Sequence, residues 1–306
     1  MIKYTIAALL FCLNAFSLES LKIQSGRYVA VANNIIDKSQ PTLIFLPGIN
    51  RGLDARDEFV RMAQKQNLNF VTMHFSLHPE SVLLIPQGEV PYFKSHTMSA
   101  KDLADEVLSV IKKYKIARPI VVGLSYSSVV TSELAATGKF PLIIETAPMI
   151  RFDESDPAGA QITTFWKDYL GLNPVLGPIW QDYFLQQVYE KYWNEQINQV
   201  LQQYPEHEND ALVRSELVSA YAKLSIVVDG FDFSKQDFNT GTKRYFILGE
   251  DEDPSRFDLQ QSAIALYEQQ TGDRNSSAVL KGAGHIVPSD APKAYLKLIK
   301  KIISGL

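Results

Sequence analysis

The sequence holds one cysteine, Cys12, among its 306 residues. A single thiol excludes an intrachain disulfide framework and a cysteine-built zinc site. There is no excess of basic charge either: 30 Lys and Arg face 34 Asp and Glu, for a net charge of −4. A nucleic-acid-binding surface would show as a basic excess, so nucleic acid is set aside as a partner. The sequence lacks a glycine-rich loop with a lysine to cradle phosphate, and it lacks a dinucleotide fingerprint. No apolar run after residue 16 is long enough to span a bilayer. Internal repeats and low-complexity tracts are also missing. What is present is an ordinary globular composition, on a chain long enough to bury a sizeable core.

The first residues read as a targeting segment. Lys3 gives a short basic start, and Ile6 to Phe16 is apolar apart from Asn14. Ala15 and Ser17 stand at the −3 and −1 positions of a cleavage after Ser17. This is the build of a secretory signal peptide over residues 1–17, and its run is short for a membrane span. The expectation is a secreted or periplasmic protein with no stable membrane span after cleavage. The mature chain would then contain no cysteine, which suits export.

Strand and helix patterns alternate along the rest. Residues 28–32, 42–46, 70–73, 119–122, 141–144, 245–248 and 278–280 are short apolar or β-branched runs that read as strands. Helical spacing covers 56–66, 126–137 and 259–270. Ser99 and Asp102 make a capping box for another helix, and Ser289 reads as the cap of the last one. Residues 75–98 read as irregular. Between Met149 and Asn239 the strand signal nearly disappears, and Trp166, Trp180 and Trp193 fall there with many glutamines and leucines. That stretch reads as largely helical. The predicted fold class is therefore α/β: a mostly parallel central sheet with helices on both faces, carrying an inserted helical cap. The predicted core comprises residues 18–150 and 241–306, with the cap over 151–240. Ligands bind at the carboxyl edge of such sheets.

Four segments carry chemistry. In Val121–Val122–Gly123–Leu124–Ser125–Tyr126–Ser127 a strand runs through a serine straight into a helix. A sharp turn there lifts the serine hydroxyl above the sheet and needs small residues two before and two after it. Gly123 and Ser127 meet that need, although the usual pattern, G-x-S-x-G, ends in glycine. Gly282–Ala283–Gly284–His285 offers a loop histidine whose pKa suits a general base. Leu248–Gly249–Glu250–Asp251–Glu252–Asp253–Pro254 offers four carboxylates to orient that histidine. Asp253, directly before Pro254, is the predicted acid, with Asp251 second. Leu46–Pro47–Gly48–Ile49–Asn50 ends a central strand, and the amides of Ile49 and Tyr126 are the candidate oxyanion donors. His74 and His78 are four apart but lack an evident third ligand, so no metal is expected.

Chain order is serine, acid, histidine. With these strand positions the sequence resembles the α/β-hydrolase fold superfamily over roughly residues 25–306. The resemblance implies a nucleophile at Ser125, an acid at Asp253, a base at His285 and a cap domain at about 150–240. Two positions depart from the family pattern: Ser127 at the second elbow glycine, and Pro47 where many members carry histidine. Glu145, after the preceding strand, is a remote alternative acid. The resulting expectation is a serine hydrolase that needs no cofactor and cleaves a small-molecule carboxylic ester, with an apolar part held under the cap. The alternatives are an aminopeptidase for short peptides, with a cap carboxylate such as Glu190, Glu195, Glu206 or Glu208 holding the free amine, and a catalytically silent ligand-binding protein.

Overall fold

The computed structural model describes residues 17–49, 52–89, 91–92, 96, 98–151, 194–228 and 230–305. Its centre is an eight-stranded sheet in the order β1-β2-β4-β3-β5-β6-β7-β8. The strands are β1 (Glu19–Lys22), β2 (Tyr28–Asn34), β3 (Thr42–Leu46), β4 (Phe70–His74), β5 (Pro119–Leu124), β6 (Leu142–Thr146), β7 (Lys243–Gly249) and β8 (Ser277–Leu280). The first two strands pair antiparallel, and β2 also meets β4 antiparallel. From β4 to β8 every neighbour is parallel. In β3 and β6 every residue is buried, as in strands covered on both faces; β6 buries Glu145 and Thr146 along with its apolar residues.

The helices are α1 (Glu58–Lys65), α2 (Pro79–Leu83), α3 (Ala100–Tyr114), α4 (Ser128–Ala136), α5 (Ala211–Val227), α6 (Pro254–Thr271), α7 (Val287–Asp290) and α8 (Pro292–Ser304). Two clusters cover the two sheet faces. Val107, Val110, Val130 and Leu134 pack on one side, and Phe59, Val60, Tyr295 and Ile299 pack on the other. A third cluster joins α6 to β7 through Ile264, Tyr267, Phe246 and Leu248. The Ser99–Asp102 capping box forms as expected.

Several expectations are corrected. Strand β1 was not anticipated: ESLK carries no buried face, and the strand forms by edge pairing with β2. The segment 75–98 contains the short α2, started by Pro79. Helix α6 begins at Pro254, five residues before the expected start. Ser289 does not cap the last helix. It lies inside α7, and its hydroxyl reaches Asp57 at 3.3 Å. Helix α8 starts after Ala291 with no side-chain cap.

The expected signal peptide lies outside the described residues apart from Ser17, as do residues 152–193 of the expected cap, with its three tryptophans. The remainder of that stretch includes α5, which packs on α2 and contributes Leu217, Val218, Tyr221 and Leu224 to the larger core cluster. None of the helices among the described residues is long and apolar enough to cross a membrane.

Because β3, β5, β7 and β8 are parallel, their carboxyl ends share one edge of the sheet. The register aligns Leu46 with Gly123. All four chemistry-bearing segments follow these strand ends, so the topology gathers them in one place.

Candidate active site

Ser125 leaves β5 with φ of 50°, in the left-handed region that a non-glycine side chain adopts at a cost of about 1–2 kcal/mol. The preceding Leu124 is extended, and Ser125–Ser127 turn as a tight 3-10 segment that runs into α4. The carbonyl of Ser125 is pinned twice, by the Met149 amide at 3.1 Å and the Ser128 hydroxyl at 2.8 Å. Gly123 is required by close approach. A Cβ there would meet Thr131 Cγ2 at 2.7 Å and the Ser127 Cβ at 3.3 Å. Ser127 is no loose substitute for glycine. Its hydroxyl donates to the Pro47 carbonyl at 2.5 Å and ties the elbow to the loop after β3.

His285 faces this serine across the sheet edge, with Nε2 2.8 Å from Ser125 Oγ. Its loop is held from both sides. The Gly284 amide donates to Asp290 Oδ2 at 3.0 Å, and the Ala283 carbonyl accepts from the Asp251 amide at 2.8 Å. Both Ser125 and His285 are half-buried, so the pair is reachable from solvent.

The carboxylate that meets His285 is Glu252. Its Oε2 bonds His285 Nδ1, and its Oε1 accepts the Asp253 amide at 3.0 Å. Burial alone would raise the Glu252 carboxyl. The hydrogen bond to His285 and the imidazole charge outweigh burial and hold it below the usual carboxylate range. Of the four carboxylates in this run only Glu252 is buried; Glu250, Asp251 and Asp253 are exposed.

This corrects the choice of Asp253, and of Asp251 behind it. Asp253 is the N-cap of α6, its Oδ1 accepting from the Ser255 hydroxyl and from the Ser255 and Arg256 amides. These bonds hold its carboxyl below the usual range. The signal was in the sequence: Asp-Pro-Ser is an N-cap followed by proline at the first helical position, so this aspartate was already committed. Glu145 is committed too. It is buried in β6, accepts from the Thr131 hydroxyl at 2.7 Å and pairs with Arg244 at 3.2 Å.

Of the two candidate oxyanion residues, Tyr126 directly follows the serine and Ile49 lies in the loop after β3. Tyr126 stands in the first turn after the elbow, where backbone N–H groups have no intrahelical acceptor. Its side chain is buried, and its hydroxyl donates to the Leu224 carbonyl of α5 at 3.0 Å. Ile49 follows Gly48, whose carbonyl is 2.8 Å from His78 Nε2. His74 sits beside Glu80, with Nδ1 3.1 Å from Oε2. His74 and His78 therefore engage separate protein groups.

An imidazole within reach of a serine hydroxyl, with a carboxylate on its far nitrogen, is an arrangement for raising the nucleophilicity of that hydroxyl. Solved structures similar in fold include esterases and an epoxide hydrolase. An esterase from Thermogutta terrifontis superposes with a TM-score of 0.59 at 12% identity, covering 94% of this chain and 98% of its own. An epoxide hydrolase from Vigna radiata gives 0.57 at 12%, covering 96% and 99%. A carboxylesterase structure from Nitrososphaera gargenis gives 0.56 at 14%, covering 93% and 97%. At these identities the likeness is one of fold. No curated protein matches the chain by sequence. The family model of the alpha/beta hydrolases does match, over residues 74–298, a span that contains Ser125, Glu252 and His285; the chain belongs to the alpha/beta hydrolase family.

Proposed function

We propose that the protein is an exported serine hydrolase that cleaves a carboxylic ester through Ser125, His285 and Glu252. The observation that carries this reading is the 2.8 Å contact between Ser125 Oγ and His285 Nε2, on a histidine whose Nδ1 is bonded to Glu252. His285 takes the serine proton as Oγ attacks the ester carbonyl. Glu252 keeps Nδ1 protonated and stabilises the imidazolium that forms. The amides of Ile49 and Tyr126 receive the negative charge on the tetrahedral oxygen. His285 then gives its proton to the leaving alkoxide, and an acyl-serine remains. Water, activated by the same histidine, releases the acid.

A serine nucleophile suits substrates with an acyl carbonyl, which is why ester cleavage is preferred over the other activities of this fold. The apolar acyl or alcohol part would lie between the sheet edge and the segment that joins β6 to β7. Export rests on the basic, apolar and small-residue pattern of residues 1–17. N-terminal sequencing of protein recovered outside the cytoplasm should begin at Leu18.

The test is intact mass after treatment with a fluorophosphonate, on wild type and on Ser125→Ala. One adduct on the wild type alone supports an activated Ser125. p-Nitrophenyl esters and aminoacyl anilides then separate ester from peptide preference. A folded wild type that takes no adduct and turns over neither substrate would sink the reading in favour of a silent binding protein.

A further inference from the structure

The loop that carries Ile49 is held from below by a residue with no place in the triad. After β4 the chain turns through Phe75 to His78 and enters α2. His78 is completely buried. Its Nε2 lies 2.8 Å from the Gly48 carbonyl, and a carbonyl can only accept, so Nε2 carries the proton. No hydrogen-bond partner for Nδ1 stands among the described residues, as fits a neutral ring with a bare acceptor there. Burial, with His74 nearby, lowers the His78 pKa to about 4, against opposing contributions from Glu80 and the Gly48 bond. The same ring stands edge-on to Tyr126, with centroids 6.3 Å apart. His78 thus bonds the peptide that carries one candidate oxyanion donor and packs its ring edge-on against the side chain of the other.

In a trans peptide the C=O and the following N–H point to opposite sides. The Gly48 carbonyl is turned to the buried His78, so the Ile49 N–H of the same peptide is directed away from that ring. Glycine leaves such a peptide free to rotate unless something holds it. A donor that must reorganise during the reaction loses most of its value, because fixed direction is what makes oxyanion donors effective.

We propose that His78 is a positioning residue of the oxyanion hole, holding the Gly48–Ile49 peptide and bracing Tyr126 so that both amides face the developing charge. This rests on the serine-hydrolase reading above. It adds a residue from a strand end that supplies none of the triad.

The experiment compares full-length wild type, His78→Leu and His78→Gln in steady-state hydrolysis of p-nitrophenyl butyrate. His78→Leu should lower kcat by about 10- to 100-fold, part of what losing a whole oxyanion donor costs, with KM within about 3-fold. Gln can place a donor near the Nε2 position, and His78→Gln should recover kcat to within about 5-fold of wild type. A Leu variant with unchanged kcat, a loss carried by KM, or a Gln variant no better than Leu would each overturn the proposal. A folded wild type that is inert to this ester and to aminoacyl anilides and takes no fluorophosphonate adduct would instead remove the serine-hydrolase reading and this inference with it. If His78→Leu does not fold, nitrogen-15 NMR of wild-type histidines decides. The Nε2–H tautomer of His78, unchanged from pH 5 to 8, is expected, and an Nδ1–H tautomer or a titration within that range would overturn it.

Discussion

Glu252 and Asp253 are adjacent carboxylates with different work. The longer side chain is buried and reaches His285, whereas the shorter one turns back on its own helix. Their substitutions should therefore separate activity from stability. Glu252→Gln keeps the size but loses the charge that, in the proposed mechanism, stabilises the imidazolium and fixes its tautomer. kcat should fall by about 10³- to 10⁴-fold. Asp253→Ala should leave kcat within about 3-fold and shift the urea midpoint downward, because the N-cap of α6 is lost. Ester kinetics and urea denaturation on the two variants check both halves. Equal loss of kcat in both would mean that Asp253 reaches the histidine in solution.

At the scale of elements, the elbow and the loop after β3 are one unit. Ser127 joins them by donating to the Pro47 carbonyl. Restoring the common glycine there should harm this protein. Ser127→Gly leaves a carbonyl beside a fully buried position without its donor, and unfolding free energy should drop by about 1–3 kcal/mol with a fall in kcat. Urea denaturation with parallel ester assays tests this, and a gain in either would refute the tie.

Elements with a strong local signal were legible in the sequence. TLIFL reads as a buried strand because four successive apolar residues leave it no polar face, and Ser99 caps α3 because Asp102 reciprocates. Ser125 and His285 were legible through their small neighbours. What escaped depends on partners distant in the chain. Strand β1 exists through pairing with β2, Ser289 is drawn to Asp57, and Glu252 gains meaning only once His285 is beside it. His78 was visible only as half of a histidine pair. Its contact with Gly48 joins the ends of two parallel strands, and sequence spacing does not encode that.

For the whole molecule, the buried histidine makes stability depend on pH. His78 has a folded pKa of about 4 against an ordinary value of 6.5. Between those values the unfolded chain binds a proton at this residue and the folded chain does not. Its contribution is therefore full above pH 6.5 and is lost as pH falls toward 4. From pH 7 to pH 5 the loss is about 2 kcal/mol. Glu106 acts in the opposite sense. Burial raises it to about 7, even with Arg27 and Ser76 beside it, so the folded chain binds a proton there that the unfolded chain has released. Its cost grows as pH rises from 4.5 through 7. Glu80, held down at about 2 against the effect of its burial by its contact with His74, begins to matter only below about pH 4.5. Comparison of wild type with His78→Gln cancels the Glu106 part, which both proteins share. Unfolding free energy of the wild type should fall by about 2 kcal/mol more than that of His78→Gln between pH 7 and pH 5. Urea denaturation of both proteins at the two pH values measures the difference. Parallel pH dependence would show that His78 takes up its proton in the folded state and does not keep the neutral form that its bond to Gly48 describes.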